Sequence, residues 1–163
     1  MDDPTADFIE SMGRHFEEEG APRIAGRLFA LLMLEDEPCS LEEIATRLQA
    51  SKASASTNAR LLERVGIAER ITRPGDRRDY YQVPEDMGER MLVLAVERMQ
   101  TMAQRLRRGA GTLPMTPRVA RRFSDSIRFH EKAQETVEAV LERFRSRSPN
   151  DDDCGREAAL EER

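Results

Sequence analysis

Between Pro38 and Val83 the chain is punctuated densely enough to dictate its local geometry. Ser40-Leu41-Glu42-Glu43 is a capping box: the Ser40 hydroxyl can accept from an early helical amide while the Glu43 carboxylate reaches back to the cap amide. The helix that follows gathers Leu41, Ile44, Ala45 and Leu48 on one face. Gln49-Ala50-Ser51 leaves room only for a tight turn before Ser51 caps another helix, from Lys52 to about Val65, which Gly66 closes. Two short helices joined this closely form a helix-turn-helix. Ile67 to Thr72 and Arg78 to Val83 read as short strands flanking Arg73-Pro74-Gly75-Asp76-Arg77, where Pro and Gly supply the turn angles. Together these features predict a winged helix-turn-helix.

The helix that begins at Ser51 has two unlike sides. Ala55, Ala59, Leu62 and Val65 gather on one, small enough for close packing. The other carries Ala53, Ser56, Thr57, Arg60 and Arg64 with no acid among them, a face that can offer hydrogen bonds to base edges and charge to phosphates in a major groove. Solvated arginines on an amphipathic helix would explain this face taken alone, but not an arginine-tipped hairpin directly after it. The candidate DNA contacts are therefore Ser51, Lys52, Ser54, Ser56, Thr57, Arg60 and Arg64 on the helix, and Arg73, Asp76, Arg77 and Arg78 on the wing. Asp76 is placed to orient a neighbouring guanidinium by a charge-assisted hydrogen bond, and an arginine held in this way can probe a narrow minor groove.

A formal net charge of -5 argues at first against a nucleic-acid partner, and its distribution reverses that argument. Residues 1–46 carry 12 acids and 3 bases, residues 47–78 carry 8 bases and 3 acids, and residues 79–163 carry 16 acids and 15 bases. Positive charge is concentrated where the winged unit lies, as a local DNA footprint requires.

The flanking segments read as long helices, in keeping with 35% charged and 5% aromatic residues. Thr5 is positioned to cap a helix carrying Phe8, Ile9, Met12 and Phe16 to about Glu19, and Pro22 to open another that carries Ile24, Leu28, Leu31 and Leu32 to about Glu35. Pro84 opens a long helix to about Arg108, with Met87, Met91, Leu94, Met102 and Leu106 as a buried stripe and Gly109 as its stop. After a break, Thr116-Pro117 starts a helix to about Arg145. Its Val119, Phe123, Ile127, Val137, Val140 and Phe144 recur at a spacing suited to a partner helix and are the candidate dimerisation residues, with His130 on the same seam. The expected organisation is a DNA-binding domain over residues 1–83, a helical dimerisation region over 84–145 and a disordered acidic tail over 146–163. The fold class is mostly α with a small β-wing.

Other function classes fit poorly. No stretch approaches the roughly 18 apolar residues that cross a bilayer, and Met-Asp-Asp-Pro lacks the basic and apolar regions of a signal peptide, so a cytoplasmic location without a membrane partner is expected. Two cysteines, Cys39 and Cys154, make neither a disulfide framework nor a metal site. His15 and His130 lie in separate helices without ligand spacing, no Gly-rich phosphate loop follows a strand, and no nucleophile motif occurs, so neither metal, cofactor nor catalysis is expected. A protein-interaction adaptor built on the same fold, its acidic amino-terminal helices contacting a basic partner, is the alternative to a DNA reader.

The helix that begins at Ser51, with its wing, resembles the MarR superfamily, and further details resemble its GbsR-type branch. Met12-Gly13 followed by Gly20-Ala21-Pro22-Arg23-Ile24-Ala25-Gly26-Arg27 is similar to that branch's amino-terminal pattern, as are Ser51-Lys52-Ala53-Ser54-Ala55-Ser56 and the wing ending Arg77-Arg78-Asp79-Tyr80-Tyr81. The resemblance covers about residues 6–100 and departs from the pattern in the acidic tail and in the Pro-Gly insertion at the wing tip. It implies a bacterial transcriptional regulator that binds double-stranded DNA as a homodimer, one recognition helix per half-site. It also implies control by a small-molecule effector bound between the dimerisation and DNA-reading parts, while repression by operator occlusion is expected from the basic recognition helix, the arginine-tipped wing and the dimer-forming helices.

Overall fold

The computed structural model describes residues 3–146. The elements run α1 (Pro4–Glu18), α2 (Arg23–Met33), β1 (Cys39–Ser40), α3 (Leu41–Arg47), α4 (Lys52–Arg64), β2 (Glu69–Ile71), β3 (Tyr80–Gln82), α5 (Met87–Thr112) and α6 (Pro117–Ser146). The protein is mostly helical with one small sheet, as the sequence predicts. Two compact units meet between Leu94 and Ala95, inside α5. The expected tail beyond Ser146, with Cys154, lies outside the described residues.

In the first unit each helix begins where local chemistry starts it. The Asp3 side chain accepts from the Thr5 amide, with Pro4 at the first helical position, so the cap of α1 is Asp3 rather than Thr5. Pro22 stands just before α2 in extended conformation. The capping box at α3 forms as expected: Ser40 Oγ accepts from the Glu43 amide at 3.3 Å, and the Glu43 carboxylate accepts from the Ser40 amide at 2.7 Å. α4 is closed just beyond its cap Val65 by Gly66, whose φ of +82° few other residues would tolerate.

Leu28, Leu31, Ile44, Leu48 and Leu62 are fully buried and meet with Ala55, Ala59 and Tyr81 in one cluster. Each large aliphatic side chain so buried contributes about 1.5–3 kcal/mol. α1 lies close on α2 because Gly26 has no side chain: a Cβ there would stand 2.3 Å from the Met12 carbonyl oxygen. The sheet has the order β1-β3-β2, all antiparallel, with Cys39 opposite Tyr81 and Ile71 opposite Tyr80. The two wing strands are shorter than the sequence suggests, and β1 is an addition that ties the start of α3 to the wing.

In the second unit, the end of α5 and α6 form a helical hairpin. α5 does not stop at Gly109 but continues to Thr112. Gly109 instead makes space, since a Cβ there would stand 3.1 Å from the Phe123 ring. The methionine stripe also differs from expectation. Met91 is 36% and Met102 44% exposed, Met87, Leu94 and Leu106 are half-buried, and the buried residue of α5 is Ala103.

Candidate nucleic-acid interface

The third and fourth helices orient one face outward by anchoring the other. Ser51 Oγ accepts from the Ser54 amide at 3.1 Å, which starts α4, and Ala55, Ala59 and Leu62 hold it against the core. Asn58 is buried beside them, donating through Nδ2 to the Ser54 carbonyl at 2.8 Å and lying 3.5 Å from Ser54 Oγ. Sequence reasoning missed Asn58, whose only signal is a polar residue three positions after Ala55 and four before Leu62 on the packed side of α4. Lys52, Ala53, Thr57, Arg60 and Arg64 are exposed along the outward side, with Ser51 at its start and Ser54 and Ser56 half-buried at its edge. Lys52 pairs with Glu42, and the lysine's hydrogen bond holds the Glu42 carboxyl below its usual range. Arg60 makes no ion pair with a described residue.

The wing is organised around Asp76. Gly75 takes φ +80°, which turns the chain so that the Asp76 amide donates to the Arg73 carbonyl at 3.1 Å. The Asp76 carboxylate then accepts from Arg78 Nη2 at 2.6 Å, from Arg78 Nε at 3.0 Å, from the Arg78 amide at 2.9 Å and from the Tyr80 hydroxyl at 2.8 Å. The Arg78 guanidinium, then its amide, then the Tyr80 hydroxyl hold the Asp76 carboxyl well below the usual carboxylate range, and Asp76 in turn raises Arg78. Hydrogen bonding to Asp76 raises the Tyr80 phenol.

Tyr80 is buried and serves as the platform of the wing. The Arg73 guanidinium carbon lies 4.2 Å, and that of Arg78 5.3 Å, from its ring centroid. Arg73 also stands 3.9 Å from Glu37, while Arg77 is exposed at the tip without an ion pair to a described residue. The four wing residues thus divide: Asp76 is the anchor, Arg78 and Arg73 are held over the ring, and Arg77 projects. Tyr80 was not among the sequence candidates, although its place two residues after Arg78 on a period-two strand is the signal that could have found it.

A cleft of about 530 Å³ opens in the same unit, lined by Glu63, Glu69, Arg70, Asp86, Arg90 and Val93 among others. Arg90 spans it in ion pairs to Glu69 at 2.5 Å and Asp86 at 2.6 Å. Among the described residues no group of three His, Cys, Asp or Glu is arranged to hold a metal, and no helix is long and apolar enough to cross a membrane. Of the candidate dimerisation residues, Val119, Phe123, Ile127 and Val137 are half-buried on α6, whereas Val140 and Phe144 are 44% and 51% exposed.

Comparison with known proteins gives a consistent picture. The profile of the MarR family matches residues 23–79, which hold α2 to the wing. The HTH-type transcriptional regulator MmpR5 of Mycobacterium tuberculosis (strain ATCC 25618 / H37Rv) is 36% identical over 150 residues, covering 90% of each chain. The putative HTH-type transcriptional regulator YvaV of Bacillus subtilis (strain 168) is 28% identical over 87 residues, covering 53% of this chain and 49% of its own. A crystal structure of a transcriptional regulator superposes with a TM-score of 0.78 at 32% identity, covering 89% of this chain and all of that one.

Proposed function

The chain belongs to the MarR family and is a DNA-binding transcriptional regulator, not an enzyme, and from that premise we propose that it is a homodimeric repressor of the GbsR-type branch acting by operator occlusion. The observation that carries the proposal is the pairing of two exposed cations, Arg60 on α4 and Arg77 on the wing, presented by elements anchored from behind. α4 enters the major groove, where Ser51, Lys52, Ser54, Ser56, Thr57, Arg60 and Arg64 divide base-edge and phosphate contacts. The wing follows the adjacent minor groove with Arg77 leading, and Asp76, Arg78 and Arg73 keep its tip in shape.

The dimer forms through α6, where Val140 and Phe144 offer apolar surface that one chain leaves uncovered, continued by Val119, Phe123, Ile127 and Val137. The GbsR-type assignment is supported by the close crossing of α1 and α2, which needs Gly26 of the amino-terminal pattern bare of a side chain. The effector would take the charged cleft beside the wing, where displacing Arg90 from Glu69 links occupancy to the start of β2. A cytoplasmic regulator fits these features together.

Selection of fragmented genomic DNA by the purified protein at about 150 mM salt, where non-specific phosphate attraction is screened, tests the proposal. Enrichment of an inverted repeat overlapping a promoter is expected. Retention without sequence preference would replace the proposal with the adaptor alternative.

A further inference from the structure

A second concentration of positive charge lies outside the winged unit. Residues 98–124 contain seven arginines and no aspartate or glutamate, a run that counting over the whole carboxy-terminal half conceals. The fold doubles this run on itself, with the end of α5 and the start of α6 joined by the short turn from Leu113 to Thr116. Phe123 against Gly109 closes the inside of the hairpin.

Within the run, Arg107 pairs with Glu131 on α6, and Arg121 lies 3.9 Å from Asp125. Arg105, Arg108, Arg118 and Arg122 are exposed and make no ion pair with a described residue. Between the two arginine pairs the turn presents Leu113, 55% exposed, and Pro114, also exposed. Four guanidinium groups without an ion pair to a described residue therefore flank an apolar turn along the two helices it joins.

This combination selects among polyanions. A nucleic acid would engage the arginines but give the tip no apolar surroundings, and it would leave Leu113 facing water. A lipid surface uses both, because headgroup phosphates accept from guanidinium groups while a short apolar projection enters the boundary between headgroups and acyl chains. We propose that the α5–α6 hairpin is a docking surface for a membrane rich in anionic phospholipid. Lying against a bilayer needs no spanning helix, so the sequence expectation of no membrane partner, which rested on the lack of a span, does not bear on this contact. The proposal is independent of DNA recognition, since its residues are all in the second unit.

The test is co-sedimentation of the full chain with vesicles of phosphatidylcholine alone or with about one third phosphatidylglycerol, at about 150 mM salt. Binding that requires phosphatidylglycerol is expected. Each basic group at an anionic surface is worth about fivefold in partitioning, so Arg118→Glu with Arg122→Glu lowers binding by at least about 25-fold, and Leu113→Ser lowers it by about tenfold. Arg118→Gln with Arg122→Gln gives the same reading should the charge reversal disturb folding, which circular dichroism checks. Arg60→Ala with Arg77→Ala, on the other basic surface, leaves vesicle binding within about twofold of the parent. Equal binding to neutral vesicles, no binding to either, or loss in the Arg60 and Arg77 variant with retention in the hairpin variants overturns the proposal. Loss of DNA affinity in the hairpin variants without loss of vesicle binding would assign the surface to nucleic acid instead.

Discussion

Replacing Gly26 with Ala asks whether the crossing of α1 and α2 is as close as it looks. The added Cβ would stand 2.3 Å from the Met12 carbonyl oxygen and 2.8 Å from Phe16 Cγ. An ordinary contact is about 3.5 Å, so α1 must retreat by about 1 Å along the line of contact. The obstacle is backbone and cannot rotate away, which puts the overpacking cost at the upper end of the usual range, about 3 kcal/mol. The better helix propensity of Ala returns about 1 kcal/mol, leaving a net loss of about 2 kcal/mol. For a chain of this size that is a fall of about 4–8 °C in Tm by calorimetry. Gly20→Ala is the control: its φ of +78° penalises a side chain by about 1–2 kcal/mol, but nothing lies within 4 Å, so α1 need not move. Gly13→Ala meets Arg27 Cγ at 2.7 Å and the Arg23 carbonyl oxygen at 3.3 Å, a looser backbone contact than at Gly26, and costs less than Gly26→Ala. A Gly26→Ala protein as stable as the parent, with the amide spectra of α1 and α2 unchanged, would refute the reasoning.

Three further outcomes follow from the same geometry. Ser40→Ala removes the acceptor of the Glu43 amide and lowers stability by about 1 kcal/mol in urea titration, and an unchanged midpoint would show the capping box to be idle. Asp76 has a folded pKa below its unfolded value of about 3.9, so its contribution is complete above that value and is lost as pH falls through the lower one. The Arg78 Nε–H resonance should therefore hold its position from pH 8 to about pH 4, and a midpoint above pH 4 would contradict the carboxylate lock. Burial pushes the Cys39 thiol up, so in a Cys154→Ser background iodoacetamide at neutral pH modifies the native protein more slowly than the same chain in urea, and equal rates would contradict that burial.

Features written in neighbouring residues were legible before the fold was. The capping box at Ser40, the cap at Ser51, the stop at Gly66 and the turn at Pro74-Gly75 each depend on groups a few positions apart, and each forms. Features that depend on distant partners were not. β1 is two residues long, too short to show a period, and exists because β3 offers it an edge. Gly109 carries the chemistry of a helix stop but serves Phe123, which lies on the next helix. Tyr80 reads as an ordinary strand residue until the turn brings Arg73, Asp76 and Arg78 around it. The stripe on α5 has the right spacing for a core, yet Met91 and Met102 are exposed while Met87, Leu94 and Leu106 are half-buried, so periodicity alone could not decide its burial. At the candidate interface the residue types and their order were readable, whereas the division of the wing into held and projecting arginines arises only when the turn sets Tyr80 beneath Arg73 and Arg78.

The central claim is that α4 and the wing together grip DNA, and salt-dependent titration of a selected duplex tests it most directly. Fluorescence anisotropy would compare the parent with an Arg60→Ala, Arg77→Ala double variant from about 50 to 200 mM salt, with circular dichroism as the check on folding. Each phosphate contact contributes about 0.9 to the slope of log affinity against log salt, so losing two per subunit in a dimer makes the slope shallower by about 3.6 and weakens binding throughout. Affinity and slope indistinguishable from the parent, in a folded variant, would contradict the account.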